Sequence, residues 1–256
     1  MLTVTLSRLG GLALPAGTLA AFVGIWYLAA GYYPPEQFPG PQQVALALLE
    51  LAEDGTLWAN TWISLARFVS GYLLAVVVAM PLGLLLGRFA PIQRALDPLI
   101  QVLRPISPIA WFPLAVLWFG IGNAPAIYII FLSAFFPVLL TTISAVRSIP
   151  AVYLKIATNF GARPAMTFLR VLVPAAFPGI MVGLHIAVGT AWIHLVAGEM
   201  LGAQSGLGYM IIDARNFLRT DVIIAGMLVV GGLGLTIYQG MRALERQIGR
   251  FWGIGT

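Results

Sequence analysis

The chain has 256 residues, of which 60% are hydrophobic and 9% are charged, whereas soluble domains are about a quarter charged. Its mean hydropathy of +0.93 excludes a single water-soluble core and predicts an all-α polytopic membrane protein. The pI near 9.9 does not indicate nucleic-acid binding, because the basic residues form no run and are not interleaved with aromatic residues. The absence of cysteine excludes disulfides and thiolate metal sites.

Six stretches are long and apolar enough to cross a bilayer, whose hydrocarbon core needs about 20 residues per helix. The third carries Arg104 beside Pro105, Pro108 and Pro113, so we expect a kinked helix. The first is interpreted as a retained span, because it is too long for a signal-peptide core. The predicted spans are residues 9–32, 62–87, 98–119, 124–146, 171–197 and 222–241.

The basic residues predict the orientation of these spans. With the N-terminus in the cytoplasm, six spans return the C-terminus there, and the loops can be compared with the positive-inside rule. The outer side then holds Arg215 and Arg219, against ten cytoplasmic basic residues. These ten are Arg8, Arg88, Arg94, Arg147, Lys155, Arg163, Arg170, Arg242, Arg246 and Arg250. The bias predicts that both termini are cytoplasmic.

Two of the outer segments have helical patterns. Residues 41–54 carry apolar side chains at helical spacing on one face, which predicts a short interfacial helix. Residues 203–221 begin with the run Ser205-Gly-Leu-Gly208 and continue as an amphipathic stretch. This second pattern predicts a turn followed by a short helix at the outer mouth.

One cytoplasmic segment is not needed for anchoring in a membrane. The run Lys155-Ile-Ala-Thr-Asn-Phe-Gly161 is followed, after nine residues, by Val171-Leu-Val-Pro174. Pro150 can begin a helix, and Gly161 can end it in a left-handed turn.

The short helix so predicted would have an apolar stripe formed by Val152, Ile156 and Phe160. Such a stripe suits a surface that inserts in the groove of a partner. It equally suits an interfacial connector, and the residues alone favour neither interpretation.

Polar residues within the spans are few. His185 and His194 are nine positions apart in one span, so they do not share a face at i, i+4, and Glu199 lies at the outer end of that span. A His/His/Glu metal site is conceivable, but positions that satisfy helical hydrogen bonds are favoured, so we predict neither a metal site nor a catalytic residue. The chain has no Gly-Lys-Ser/Thr phosphate loop, so any ATP would be bound by another chain.

Two arginines fall within predicted spans, where charge is costly. Arg67, near the outer end of the second span, is expected to snorkel towards the headgroups. Arg104, one to two turns inside the third span, could pair with Asp97, attract an anion or reach the cytoplasmic headgroups. These three alternatives remain open.

Small residues recur at four-residue spacing in two spans, which lets helix backbones approach closely. This pattern is compatible with packing inside the chain and with an interface between subunits. The residues are Gly71, Ala75, Ala79, Gly83 and Gly87 in the second span, and Gly179, Gly183 and Ala187 in the fifth.

The cytoplasmic segment resembles the coupling motif of ABC-importer permeases, which reads Glu-Ala-Ala, three residues, Gly, nine residues and Ile-x-Leu-Pro. The spacing matches throughout, and Ala157, Gly161 and Pro174 match by identity. Lys155 stands in the place of the usual acid, so a salt bridge made by that acid is not carried over.

The resemblance extends from about residue 36 to 250, and it is to the nitrate/sulfonate/taurine/bicarbonate permease subfamily. One departure is His185, where that subfamily often has Arg. The runs that carry the resemblance are Leu96–Pro108, Trp118–Gly122, Val196–Leu201 and Asp213–Asp221.

The resemblance implies a type I ABC-importer permease fold in the bacterial inner membrane, with an N-terminal region (1–61) and a permease core (62–250) that contains a coupling helix at about 150–161. It implies a homodimer with one central path, two cytoplasmic ATPase subunits that bind ATP and Mg, an external substrate-binding protein or lipoprotein, and no cofactor in this chain. The implied ATPase-coupling residues are Val152, Lys155, Ile156, Ala157, Phe160, Gly161, Ala162, Arg163 and Pro174. The candidate translocation-path residues are Arg104, His185, His194 and Glu199.

The predicted function is therefore import of a small anion, such as nitrate, bicarbonate, taurine or an alkanesulfonate, by alternating access driven by the ATPase subunits. An importer of the same build for a heterocycle is the alternative within transport. A membrane-embedded enzyme would need a convergent polar site. A secondary transporter usually shows an inverted repeat and mid-span carboxylates, which the sequence does not show.

Overall fold

The structure, a computed structural model, describes residues 2–251, and these residues form helices and connections without a β-strand. The predicted all-α class is confirmed. A 3₁₀ turn (Pro108–Trp111) precedes α5, and a π-helical turn (Phe168–Leu172) joins α8 to α9. The helices are α1 (Leu2–Ala30), α2 (Pro41–Glu53), α3 (Thr56–Arg88), α4 (Ala90–Leu103), α5 (Phe112–Phe119), α6 (Asn123–Arg147), α7 (Ala151–Asn159), α8 (Pro164–Thr167), α9 (Val173–Gly202), α10 (Leu207–Asn216) and α11 (Thr220–Phe251).

Four helical segments in the described part of the chain are long and apolar enough to cross a membrane: Thr56–Arg88, Asn123–Arg147, Pro164–Gly202 and Thr220–Arg250. They confirm the second, fourth, fifth and sixth predicted spans. The third is a pair of helices bent by 84°. The first predicted span begins among residues whose side chains are not described, so the count of six spans stays a prediction. The side chain of Arg8 also lies outside the described ones.

Contacts divide the chain into two compact units. One unit joins the chain up to Ala59 with Met210–Val229, and the other joins Asn60–Tyr209 with the chain from Val230 onwards. The predicted division of the chain at residue 61 is not tested by this grouping and stays a prediction.

In the larger unit, α6 forms the centre of the core, and α3 packs against it with almost no side chain between the backbones. A Cβ atom added to Gly71 would lie 2.7 Å from the Cβ of Ile130, and one added to Gly83 would lie 2.6 Å from the Cβ of Thr142. Ile130 and Thr142 are fully buried. The small residues of α3 therefore set how closely α3 and α6 approach.

Helix α9 approaches α6 in the same way. A Cβ atom on Gly179 would lie 2.6 Å from the Cβ of Ala145, and one on Gly183 would overlap the side chain of Thr141. Ala187, one turn further along α9, is fully buried. Both stripes of small residues thus pack inside the chain, which confirms the intramolecular interpretation of their spacing.

The kink predicted for the third span is a complete break. Helix α4 ends at Leu103, and Ser107 has an extended backbone (ψ 132°) immediately before Pro108, because a proline disfavours the helical conformation of the residue that precedes it. The 3₁₀ turn and α5 then start in a new direction. Arg104 lies at the start of this break, as the C-terminal cap of α4.

Helix α7 ends in the left-handed turn that the sequence predicted. Gly161 has φ +74°, its N–H donates to the carbonyl of Thr158 (2.9 Å), and the N–H of Ala162 donates to the carbonyl of Ala157 (3.0 Å). These two bonds are the Schellman pattern, which satisfies carbonyls left free at a helix end. The chain then continues from Pro164 into α9.

In the smaller unit, α2 confirms the predicted amphipathic helix, because it buries Val44, Ala47 and Leu51. Its exposed Glu50 accepts a hydrogen bond from Arg219 at 2.8 Å. This bond, together with the positive charge of Arg219, holds the pKa of Glu50 below its ordinary value.

The close contact between α3 and α6 is testable with a single methyl group. We expect Gly83→Ala to destabilise the folded permease by about 1–3 kcal/mol, the usual cost of overpacking a core, because Thr142 and the backbone of Leu139 have to move. The measurement is the thermal unfolding midpoint in detergent.

The matched control is Gly24→Ala in α1, where an added Cβ meets nothing within 4 Å. Alanine is intrinsically better than glycine in a helix, so this variant should unfold at or slightly above the temperature of the parent. Equal midpoints for the two variants would contradict the packing described for α3 and α6.

Candidate functional site

A cavity of about 510 Å³ opens beside the broken span. Its walls are formed by the end of α4, the 3₁₀ turn, α6 and α9. Small-molecule sites typically occupy about 300–1,000 Å³ and are lined mainly by apolar side chains. This lining is mostly apolar as well and includes Ile106, Phe136, Leu140 and Ile186.

Arg104 contributes the only fixed charge among the described residues that line the cavity. It is exposed, and its side chain makes no hydrogen bond or ion pair within residues 2–251. The pairing with Asp97 that the sequence left open is therefore not observed. The other two alternatives, an anion and the headgroups, are compatible with this position.

The hydroxyl groups in the cavity wall are occupied by the helix backbone. Ser133 donates to the carbonyl of Ile130 (2.8 Å), and Thr141 donates to that of Pro137 (2.6 Å). In contrast, Trp111 and Tyr128 line the cavity without donating a side-chain hydrogen bond in the described part of the chain. The free polar groups of the cavity thus include the donors of Trp111 and Tyr128, and no carboxylate lines it.

The two histidines have different surroundings. His194 lines the cavity, and its Nδ1 lies 2.7 Å from the carbonyl oxygen of Thr190. Because a carbonyl can only accept, Nδ1 carries a proton. His185 does not line the cavity: its Nε2 lies 2.9 Å from Oε2 of Glu245, and its ring packs against Tyr238 with centroids 5.3 Å apart.

A second polar cluster lies where α9 ends, and its centre is an ion pair between Arg67 and Glu199. Nη1 of Arg67 lies 2.7 Å from Oε1 of Glu199, and the two side chains are 3% and 0% exposed. The guanidinium also donates to Asn123 from Nε and Nη2, and to the carbonyl and hydroxyl of Ser205. All five N–H donors of Arg67 are therefore used.

The connection between α9 and α10 closes over this ion pair. The N–H of Gly208 donates to Oε2 of Glu199 (2.9 Å), and Ser64 donates to the same carboxylate at 2.8 Å. Gly206 has φ +102°, and a Cβ atom there would overlap the Glu199 carboxylate. Glycine at 206 is thus required both by the backbone conformation and by the lack of space.

This geometry changes the interpretation of two predicted residues. The expectation that Arg67 snorkels is wrong, because its charge is buried and paired. Glu199, a candidate path residue, does not line the cavity, and both of its oxygens already accept hydrogen bonds. The geometry favours a structural role for this pair, whereas Arg104 and His194 share the cavity.

Sequence reasoning missed the partners of this cluster, namely Ser64, Asn123, Ser205 and Gly208. A signal was available, because Arg67 lies inside the second predicted span and Glu199 at the outer end of the fifth, and opposite charges at membrane depth are expected to pair. The alternative of a His/His/Glu metal site is not supported by the geometry: within residues 2–251, no three metal-ligating side chains come together, and His185 and Glu199 each have a different partner.

The predicted coupling residues on α7 form an exposed surface. Val152 and Ile156 are each about half exposed, and Phe160, the C-terminal cap of α7, is 88% exposed. Tyr153, which was not among the predicted residues, is about half exposed as well. Lys155 is exposed as well. Large apolar side chains grouped in this way mark interaction surfaces.

The remaining predicted coupling residues lie along the turn after α7 and into α9. Gly161 and Arg163 belong to the turn, and Ala162 lines a recess of about 440 Å³ together with Leu154 and Thr158 of α7. Pro174 lies in the first turn of α9.

Residues 79–250 match the family of binding-protein-dependent transport system inner membrane components. The chain belongs to this family. It is thus a multi-pass inner-membrane transport component and not an enzyme.

The relatives include an ABC transporter permease protein of Methanocaldococcus jannaschii, 41% identical over 88% of this chain and 87% of the relative. The taurine transport system permease protein TauC of Escherichia coli is 37% identical over 92% of this chain and 88% of that protein. The nitrate import permease protein NrtB of Synechococcus elongatus is 35% identical over 86% of this chain and 83% of that protein.

Among solved structures, a chain of the MetNI methionine ABC transporter in an inward-facing conformation has a TM-score of 0.62 and 20% sequence identity. The match covers 73% of this chain and 93% of that chain. It shows the fold, which is that of a type I ABC-importer permease.

The buried ion pair yields a stability prediction. In Glu199→Gln, Arg67 keeps a buried charge without a counter-charge, which typically costs about 3–5 kcal/mol. We expect a clear drop in the unfolding midpoint of the permease in detergent. Adding Arg67→Met to this variant should restore part of the loss, because the uncompensated charge is removed.

The matched control is Arg219→Gln, which removes an arginine from partly exposed pairs with Glu50 and Asp221. Exposed pairs contribute little to stability, so its midpoint should stay near that of the parent. If Glu199→Gln were as harmless as this control, the structural role of the pair would be refuted.

Proposed function

We propose that this chain is the transmembrane subunit of an ATP-driven importer that moves a small anion across the membrane by alternating access. The observation that carries the proposal is the exposed apolar surface on α7, which ends at the left-handed turn of Gly161. Because the chain has no phosphate loop, we assign ATP hydrolysis to other subunits. Because the family depends on a binding protein, we assign substrate capture to that protein.

The proposed partners are two cytoplasmic ATPase subunits, which hold ATP and Mg, a second copy of this chain, and an external binding protein or lipoprotein. Helix α7 is proposed to seat in a groove of the ATPase, with Phe160 as its most exposed apolar side chain. Lys155 would lie on the same surface, where it offers a cation to the ATPase instead of the acid of the motif.

An anion is favoured as substrate by two observations. The relatives include permeases named for taurine, aliphatic sulfonates and nitrate. The cavity beside the broken span, in turn, holds the unpaired Arg104 and no carboxylate. A fixed cation without a counter-ion attracts an anion.

The proposed orientation puts both termini and α7 in the cytoplasm. The loop arginines support it through the positive-inside rule. In this orientation the Arg67–Glu199 cluster lies towards the outer face and α7 towards the ATPase.

Coupling is testable at Gly161. Valine is strained at a positive φ by roughly 1–2 kcal/mol, whereas an added Cβ at Gly161 meets nothing within 4 Å. Gly161→Val should therefore distort the turn after α7 without disturbing the core. We expect normal membrane insertion but loss of ATPase co-purification and of ATP-driven transport.

Gly161→Asn is the matched control, because asparagine tolerates the left-handed conformation; it should retain most of the coupling. Normal co-purification and transport in Gly161→Val would refute the proposed role of α7.

The orientation can be tested by cysteine labelling, and the chain contains no cysteine of its own. We expect Glu53→Cys to react with a membrane-impermeant maleimide in intact cells. Lys155→Cys should react only after the cells are permeabilised. Both positions are exposed, and the unmodified chain should remain unlabelled. The reverse pattern would invert the proposed topology.

A further inference from the structure

We propose that the bond between His185 and Glu245 is a proton-controlled latch, which fixes one end of α11 on α9 and tightens when His185 gains a proton. The inference concerns the permease by itself and does not depend on the proposed substrate. In the proposed orientation this end of α11 faces the cytoplasm, so the latch would respond to cytoplasmic pH.

Helix α11 is the least buried of the four helices that qualify as spans. In the described residues, 17% of its apolar stretch is buried, against at least 39% for each of the other three. A Cβ atom added to Gly231, Gly232 or Gly240 would meet nothing within 4 Å, whereas glycines of α3 and α9 touch α6. Because few close backbone contacts hold α11, individual polar bonds matter more for its position.

Two polar bonds hold α11 against α9. Nε1 of Trp192 donates to the carbonyl of Val230 at 3.0 Å. Further along α11, Nε2 of His185 lies 2.9 Å from Oε2 of Glu245, and the ring of Tyr238 packs against the imidazole with centroids 5.3 Å apart. The first bond fixes the middle of α11, and the second fixes the end that carries Glu245.

The strength of the second bond depends on one proton. Because a carboxylate can only accept, Nε2 of His185 carries the proton of the bond. A further proton on Nδ1 turns the bond into a pair of opposite charges. Histidine side chains change their charge between about pH 5 and 8. The attraction between the two charges is therefore present at low pH and is lost as the pH rises.

The surroundings of the pair make this change of charge effective. The side chains of His185 and Glu245 are 16% and 27% exposed, so salt and water screen them less than a surface pair. Nδ1 of His185 is buried and has no hydrogen-bond partner among the described residues, which opposes the latched position. A bond that works against such a cost leaves the latched and released positions closer in free energy, as a pH switch requires.

No neighbouring group within residues 2–251 competes for this bond. Helix α6 has no acidic, basic or histidine side chain between Ser133 and Val146. The charged or titratable side chains on the other elements near the pair are Tyr72 of α3, Arg94 and Asp97 of α4, and Tyr238, Arg242 and Arg246 of α11. None of these makes a hydrogen bond or ion pair with His185 or Glu245 in the described residues. The arginines keep their charge at every physiological pH, so they do not make the bond pH-dependent.

The latch acts on a helix that forms part of the cavity wall. Ile186 and His194 of α9 both line the cavity, and Ile186 follows His185 directly in the chain. Under the proposed function, protonation of His185 would therefore restrain one wall of the substrate path.

The test is double electron–electron resonance on the permease alone in nanodiscs. Because the chain has no cysteine, spin labels can be attached at Arg147→Cys, at the end of α6, and at Leu244→Cys, beside Glu245. Both positions are exposed. An excess of unlabelled permease ensures that the measured distances lie within one chain.

The expected result is a shift between two distances. Even at the dielectric constant of water, two unit charges about 4 Å apart attract by an amount that corresponds to a roughly fivefold change in an equilibrium constant. We expect the population of the longer, released distance to be at least about fivefold higher at about pH 8.5 than at about pH 5.5.

Three variants of the pair separate the charge from the hydrogen bond. His185→Gln keeps a hydrogen-bonding amide but has no titratable ring, so its distances should be the same at both pH values. His185→Arg carries a permanent charge and should stay latched at both. Glu245→Gln removes the counter-charge and should abolish the pH dependence.

The matched control is His194→Gln, which removes the other histidine of α9. The ring of His194 bonds to the carbonyl of Thr190 on its own helix and not to α11. This variant should keep the pH dependence of the parent.

NMR of the ring nitrogens gives an independent measurement, because the chain contains only two histidines. With isotope-labelled histidine at high pH, we expect the proton of His185 on Nε2 and that of His194 on Nδ1. His194→Gln assigns the two sets of signals.

Several results would overturn the inference. They are equal distances at both pH values in the parent, a pH dependence that survives in His185→Gln or Glu245→Gln, and a pH dependence that is lost in His194→Gln. A neutral His185 ring with its proton on Nδ1 would overturn it as well. Because every measurement uses the permease alone, these results would leave the proposed import function standing, and a failure of ATP-driven transport would leave the latch standing.

Discussion

The arrangement of the larger unit depends on the contact of α6 with two helices that meet it almost backbone to backbone. In a bilayer, helices gain no hydrophobic driving force from associating, so close van der Waals packing has to hold them together. Gly83 allows α3 this approach and Gly179 allows it for α9. Because both helices are held against α6, side chains on α3 and α9 that are distant in sequence can meet at fixed distances.

The ion pair between Arg67 and Glu199 is one result of that arrangement, and it contrasts with Arg104. Arg67 is buried, where an isolated charge is costly, whereas Arg104 is exposed at the end of α4. Arg67 is neutralised and every N–H is bonded, so it can hold the α9–α10 connection in place but has nothing left for a ligand. Arg104 has no side-chain partner in the described residues, so under the proposed function its guanidinium is open to an anion.

The break in the third span and the turn after α7 both come from residues that stop helices. Pro108 forces the break that opens the cavity, and Gly161 ends α7 with an exposed apolar surface. Helix α7 lies in the connection between α6 and α9, and both of these helices line the cavity. Under the proposed function, a displacement of α7 by the ATPase would act directly on two walls of the substrate site.

By itself, the sequence determined the all-helical class, four of the spans, a proline kink beside Arg104 and the left-handed turn at Gly161. These features depend on apolar length, proline and glycine, whose effects are local. Only the tertiary structure decided that Arg67 meets Glu199, 132 positions away, and that His194 lines the cavity while His185 faces Glu245. The physical reason is that such contacts depend on which helix faces pack together, and an apolar helix with little polar contrast around its circumference does not specify those faces by its own pattern.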